Sequence, residues 1–256
     1  MTTDGVVEKA TGRARGIDRV IGLMEYLHRR RAPARIADIA RETGTPRSTM
    51  YELVNTLVEA RWLEMRSDDG IVYFGPAMHY FGSDYLDSVD LIRKARTEVA
   101  HLSERMGETA QFCALEGNKY VVVLNEPGRR MFRISSEVGI KVPIPWTASG
   151  RLLVDHMGPS EILGFIPEED FTLPDGRRIV QEEFLRDIAE ARAAGFVRTT
   201  ALVDRFTTCL AAPVRDAAGC CTATICFVVP ADTEAEQQEE MIRLLKDSAA
   251  RLSVPQ

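Results

Sequence analysis

GTPRSTMYELVNTLVEA, from Gly44 to Ala60, is the stretch that decides how this chain is read. Met50, Leu53, Val54, Leu57 and Val58 fall at i, i+3, i+4, i+7 and i+8, which puts them on one stripe of an amphipathic helix. Arg47, Ser48, Tyr51, Glu52 and Asn55 lie off the stripe, with Thr49 beside them. These residue types reach phosphates and base edges in DNA. Thr45 is the expected N-cap and Pro46 a first-turn residue. The amides left open there, near Thr45 and Arg47, suit a phosphate. Arg47 matches guanine and Asn55 adenine, whereas Glu52 repels phosphate unless it accepts from a cytosine amine.

The neighbours of this helix strengthen the reading. Ile17, Val20, Ile21, Met24 and Leu27 form the stripe of a first helix that ends in His28 and Arg29, Arg30 and Arg31, cations suited to a helix C-terminus. Ile36, Ile39 and Ala40 mark a short second helix from Arg35 to Thr43, and Gly44 breaks it. A short helix, a glycine turn and a longer helix have helix-turn-helix spacing. Trp62 to Arg66 and Ile71 to Phe74 read as strands around a turn at Ser67 to Gly70, forming a wing with Arg66 near its tip as a phosphate candidate. The expected organisation is a mobile polar tail over 1–15, a winged helix-turn-helix over 16–75, a linker helix over 76–90 and a sensor-like domain over 91–256. Trp62, Met78, Phe81 and Tyr85 are more apolar surface than a small head buries alone, which predicts a two-fold homodimer on near-palindromic operator DNA.

The second domain reads as α+β. Helix is expected over Leu91–Met106, Ala148–His156, Glu161–Phe165, Arg178–Ala194 and Asp232–Leu252. Strands are expected over Ala110–Leu115, Lys119–Asn125, Met131–Ser136, Phe196–Leu202, Thr207–Arg215 and Cys220–Val229. Pro143 to Thr147 reads as an extended approach, with Thr147 capping the helix that Ala148, Ser149 and Gly150 begin. That helix start suits the carboxylate or phenolate of an effector, with Trp146 as an aromatic plane beside it.

Composition narrows the function. The 256 residues carry a net charge of −6. Before Pro76 stand 12 basic and 11 acidic residues, leaving 20 and 27 for the remainder, as for a DNA-binding head on an acidic body. No apolar run reaches the roughly 18 residues of a membrane span, so no membrane partner is expected. The first residues lack a signal-peptide core, so the expected compartment is the cytoplasm. His28, His79, His101 and His156 are scattered, and none stands in a nucleophile motif; no catalytic residue, and hence no enzyme, is expected. No cofactor or metal is expected either. Cys220 and Cys221 are neighbours on a strand and face opposite ways, and Cys226 lies roughly 20 Å further along. With Asp216–Gly219 as a four-residue loop, Cys209 falls opposite Cys226, either as core or as cavity wall.

The chain resembles the isocitrate lyase regulator (IclR) family of bacterial transcription regulators. The resemblance rests on Ile36–Gly44, Pro46–Thr49, Tyr51, Thr56-Leu57, Tyr73 and Gly75. In the second domain it rests on Glu108-Thr109, Gly139 and Pro143, Ala148-Ser-Gly150, and Cys209–Val214 with Asp216. It implies a winged helix-turn-helix, a linker helix, a GAF-like effector-binding domain, and a homodimer that pairs again into a dimer of dimers. By motif position it implies Thr199, Cys209, Cys226 and Val228 as effector-cavity residues, beside Trp146, Ala148 and Ser149. Thr199, Leu202, Arg215 and Glu52 stand where the family commonly has Asp or Ser, Glu, an aromatic or His, and Arg. With so few polar groups, the expected effector is a mostly apolar small organic acid, aromatic by preference, controlling a catabolic operon. The competing reading is a GAF-like small-molecule-binding or catalytic protein whose winged helix serves only assembly.

Overall fold

The computed structural model describes residues 12–67, 69–129 and 137–254. The chain divides into two compact units between Ser88 and Val89. The division leaves the linker helix with the head.

The first unit runs α1 (Gly12–Arg30), β1 (Ala34–Arg35), α2 (Ile36–Glu42), α3 (Arg47–Glu59), β2 (Leu63–Ser67), β3 (Ile71–Phe74) and α4 (Pro76–Ser88). This is the expected three-helix head and wing, with a two-residue strand β1 added against β3. Met50, Val54 and Leu57 of α3 are buried with Ile36, Ile39 and Ala40 of α2, as the stripe requires. Three expectations are corrected. First, α1 begins at Gly12, so 12–15 belong to a helix; the rest of the expected tail lies outside the described residues. Second, the buried face of α1 is Leu23, Tyr26 and Leu27, whereas Ile17 and Ile21 are 59 % and 51 % exposed. The helix has two apolar faces, and the stripe read from sequence mixed them. Third, the N-cap of α3 is Pro46 rather than Thr45, which is buried and takes a hydrogen bond from the Thr43 hydroxyl at 3.1 Å.

The second unit runs α5 (Asp90–Met106), β4 (Thr109–Glu116), β5 (Lys119–Glu126), β6 (Lys141–Pro143), α6 (Ala148–Leu153), α7 (Pro159–Phe165), α8 (Gln181–Ala194), β7 (Val197–Thr200), β8 (Thr207–Arg215), β9 (Cys221–Pro230) and α9 (Ala235–Leu252). Among the described residues its strands form one antiparallel sheet in the order β6-β5-β4-β9-β8-β7. Period-2 alternation splits the central strands between two faces. Phe112, Leu210, Ala212, Ile225, Phe227 and Val229 pack under α5 and α9. Cys113, Tyr120, Val122, Ala211 and Cys226 face α6 on the other side. The strand expected over Met131–Ser136 lies outside the described residues.

Local chemistry explains the remaining shifts. Pro143–Thr147 is not extended: Ile144–Trp146 forms a 3-10 turn that leads into α6. Arg178–Val180 does not begin α8, because Asp175 and Gly176 make a turn that pairs Arg178 with Thr172. β7 stops at Thr200, because Ala201 takes a left-handed φ of 54°. The β8–β9 pairing also differs. Cys220 stays in the turn and Thr222 falls in a bulge, so Arg215 pairs with Cys221, Cys209 with Val228, and Cys226 with Ala211.

One ion pair joins the end of α6 to this hairpin. Asp155 has a side chain fully removed from solvent, and Arg215 meets it with two hydrogen bonds of 3.1 and 2.5 Å. Arg215 also donates to the Gly219 carbonyl at 3.0 Å. Removing one member of a buried pair strands the other charge. Arg215→Leu is therefore expected to cost about 3 kcal/mol, read from the midpoint of urea unfolding. An unchanged midpoint would show that the carboxylate needs no guanidinium.

Candidate functional site

Two sites follow from this scaffold, one on each unit. On the first, burying the apolar stripe turns the opposite side of α3 outward. Arg47, Ser48, Tyr51, Glu52 and Asn55 are exposed and Thr49 is half-buried. Thr45 is removed from this surface by its burial, which corrects its expected role on phosphate. The wing reaches the same helix: the Tyr51 hydroxyl lies 3.8 Å from where a Cβ on Gly70 would stand. Arg66 is exposed on β2 but engaged by Glu64 at 2.6 Å, so it meets a phosphate only by leaving that partner. Beyond this surface, α4 carries exposed aromatics. Phe81 and Tyr85 are 51 % and 60 % exposed, and Trp62 packs edge-on against Phe81 with ring centroids 5.4 Å apart.

On the second unit, a cavity of about 200 Å³ lies between the sheet, the start of α6 and the β7–β8 loop. Trp146, Ala148, Ser149, Thr199, Cys209, Cys226 and Val228 all line it. Thus the structure gathers at one place all seven residues selected from sequence for an effector cavity. It adds Gln111 and Tyr120 from β4 and β5, and Leu202, Val203 and Asp204 from the loop. Gln111 and Tyr120 were legible as alternating strand positions, but nothing in the sequence joined those strands to α6. Of the loop residues, Leu202 was read as the end of a strand, and Val203 and Asp204 fell between two expected strands.

The wall at α6 is built by a close approach. The Thr147 hydroxyl accepts from the Gly150 amide at 2.9 Å, an N-cap as expected. Gly150 is required, because a Cβ there would stand 2.1 Å from the Ile144 carbonyl oxygen. With Gly150 capped, the amides of Ala148 and Ser149 are the first-turn donors that lack intrahelical partners. Trp146 donates its indole N–H to the Asp170 carbonyl at 2.8 Å, so it offers the cavity only ring surface.

Polarity is uneven. Gln111 is committed to the protein: its amide donates to Asn125 at 2.9 Å, and its carbonyl accepts from Tyr120 at 3.5 Å. Asp204 is the carboxylate among the lining residues, and it accepts from the Phe206 amide at 2.7 Å and the Thr207 hydroxyl at 2.9 Å. Burial drives the Cys209 thiol up to about 12, so it lines the cavity as a neutral group. Cys226 is not directly opposite Cys209, which pairs with Val228, and its sulfur lies 3.9 Å from that of Cys113.

Comparison with known proteins extends the picture. Residues 16–67 match the IclR helix-turn-helix domain, and residues 83–254 match the bacterial transcriptional regulator IclR C-terminal domain. The HTH-type transcriptional regulator XynR of Escherichia coli K12 is 23 % identical over 77 % of this chain and 79 % of its own. The transcriptional repressor AllR of Salmonella typhimurium is 23 % identical over 90 % of this chain and 86 % of its own. Among solved structures, a regulator from Alicyclobacillus acidocaldarius superposes with a TM-score of 0.81 at 19 % identity, covering 93 % of this chain and 97 % of its own. A homologue from Microbacterium hydrocarbonoxydans, solved in complex with 4-hydroxybenzoate, superposes with a TM-score of 0.76 at 24 % identity, with the same coverage.

The α6 wall gives two graded expectations for thermal unfolding. Thr147→Ala loses a cap and is expected to cost about 1 kcal/mol. Gly150→Ala forces a methyl against a backbone carbonyl and is expected to cost about 1–3 kcal/mol. A wild-type melting temperature in Gly150→Ala would mean that the approach is not tight.

Proposed function

The chain belongs to the IclR family of bacterial transcriptional regulators, and on that premise we propose that it reads operator DNA as a two-fold dimer and responds to a monocyclic aromatic acid. Its named relatives are regulators and repressors, not enzymes, and it is itself a ligand-responsive regulator. In this reading α3 enters the major groove, with Arg47 on guanine, Asn55 on adenine, and Ser48, Thr49 and Tyr51 positioning the helix. Glu52 discriminates, accepting from cytosine and repelling a misplaced phosphate. One winged helix makes few phosphate contacts, so a lone copy binds weakly. Phe81, Tyr85 and Trp62 are the surface that pairs two copies, with a dimer of dimers as the fuller assembly.

The observation that carries the effector reading is the cavity itself. An apolar cavity of about 150 Å³ accommodates benzene, so about 200 Å³ takes a benzene ring with a carboxylate. The Trp146 ring, Val142, Leu202 and Val228 supply apolar wall, and Gln111 is already paired within the protein. The acid's carboxylate lies at the Ala148 and Ser149 amides. Asp204 disfavours a second carboxylate and favours a ring hydroxyl that donates to it. The 4-hydroxybenzoate complex of the Microbacterium hydrocarbonoxydans homologue supports the same ligand class. The regulated genes are then those of a catabolic operon that consumes such an acid.

DNA titration by fluorescence anisotropy against the chain's own upstream sequence tests the first half. Saturation is expected at two or four chains per duplex, and Arg47→Ala is expected to weaken binding by about 1–3 kcal/mol. Undiminished binding across Arg47→Ala, Tyr51→Ala and Asn55→Ala would overturn the α3 assignment. For the second half, hydroxybenzoates are expected to raise the melting temperature. Asp204→Ala should remove their advantage over benzoate, a charge-assisted hydrogen bond of about 1.5–3 kcal/mol. Stabilisation by glyoxylate or pyruvate with none by benzoates would sink the aromatic reading.

A further inference from the structure

Three cysteines share the cavity-side face of the sheet on three neighbouring strands: Cys113 on β4, Cys226 on β9 and Cys209 on β8. Two of them touch, with the sulfurs of Cys113 and Cys226 3.9 Å apart. The ladder places Gln111 opposite Cys226 and Thr224 opposite Cys113, so the pair is diagonal. Diagonal Cα atoms stand about 7–8 Å apart, at or past the span of about 7 Å that a disulfide bridges without backbone movement. The separation does suit two sulfurs bound to one ion. With metal–sulfur bonds of about 2.3 Å and a trigonal angle, ligand sulfurs are about 4 Å apart.

The surroundings suit thiolates. The Tyr120 hydroxyl is 2.9 Å from the Cys113 sulfur, and Ser149 lines the same cavity as Cys226. The Thr224 hydroxyl, opposite Cys113, is fully buried and has no hydrogen-bond partner among the described residues. Of the two, Cys226 lines the cavity.

We propose that Cys113 and Cys226 together hold a soft monovalent cation of the copper(I) kind, with a third coordination position opening on the cavity. Soft thiolates select copper(I), whereas zinc takes four ligands. Among the described residues no group of three or more His, Cys, Asp or Glu side chains gathers that could hold a metal ion. Two sulfurs suffice for a low-coordinate cation. On binding, two metal–sulfur bonds form and two thiol protons leave to solvent. The site passes from neutral to one net negative charge, which the Tyr120, Ser149 and Thr224 hydroxyls stabilise. No electron is transferred. The expectation that no metal binds rested on the spacing of the five cysteines along the chain, which does not bring Cys113 beside Cys226.

The test uses full-length reduced protein under anaerobic conditions, with copper(I) supplied as its bicinchoninate complex. The chain is expected to withdraw one equivalent, with near-ultraviolet thiolate-to-copper absorption and an affinity that falls as pH is lowered. Cys113→Ser and Cys226→Ser should each weaken binding at least a hundredfold, while Cys220→Ser leaves it unchanged. As a check that needs no variant, copper should protect two thiols of the wild-type chain from maleimide, located by peptide mass. Retention of the equivalent in either serine variant, protection of other cysteines, no withdrawal by the wild type, or equal binding of zinc would each overturn the site. No organic acid enters the experiment, so its outcome is independent of the effector reading.

Discussion

The second unit depends on one close approach, the backbone of α6 against the turn that precedes it. The Ile144 carbonyl lies where any side chain at position 150 would have to be. Because position 150 is glycine, α6 starts at Ala148, one residue beyond the turn that ends at Trp146, and lies buried on the sheet. Thr147 then caps the helix, Trp146 turns its ring into the cavity wall, and Arg151 is drawn inside. That arginine is 3 % exposed and reaches Asp187 at 3.0 Å, the Thr147 carbonyl at 3.0 Å and the Phe184 ring at 5.1 Å. A buried guanidinium is tolerated only with such partners. One missing methyl group thereby locates the cavity, its aromatic wall and the docking of α8.

The head shows a different economy. A stripe of five apolar residues fixes which side of α3 faces inward, and the polar side is what remains. That is why the reading side was legible from sequence: periodicity and burial follow the same geometry. The N-cap was not legible in the same way. Thr45 and Pro46 are both plausible helix starters, and the choice fell to tertiary packing, which buried Thr45 beside Thr43. The α1 stripe failed for a related reason. A helix with apolar residues on two faces gives no internal signal of which face the neighbouring helices cover.

In the second unit, strands and helices were legible wherever alternation or helical period ran cleanly, as in β8 and α9. Trp146, Ala148 and Ser149 were legible from the helix start, but Thr199, Cys209, Cys226 and Val228 only through motif position, because no periodicity tells that β4, β7, β8, β9 and α6 converge. The β7–β8 loop was read too short, with strand carried on to Leu202, because Ala201 adopts a left-handed conformation without the glycine that usually announces one, and the segment 203–206 carried no assigned role. Asp204 consequently escaped notice, although it lines the cavity. Cys209 was set opposite Cys226 because register was counted from an idealised loop, and sequence alone did not indicate that β4, with Cys113, lay beside β9.

The irregular β8–β9 hairpin bears on how this protein tolerates change in length. One residue stays in the turn and one is absorbed in the bulge, so the pairing slides by two positions. Two is the repeat of the pleat, and every side chain therefore keeps its face although it changes its partner. A single insertion or deletion between Arg215 and Ala223 carries the opposite parity. It would exchange the lining of the cavity for the face that packs under α5 and α9: an insertion would place Ile225 and Phe227 where Cys226 and Val228 now stand, and a deletion Phe227 and Val229. Drift in this turn is thus filtered by arithmetic: related chains can differ here by even steps, or by odd steps only where the bulge gains or loses a residue in compensation.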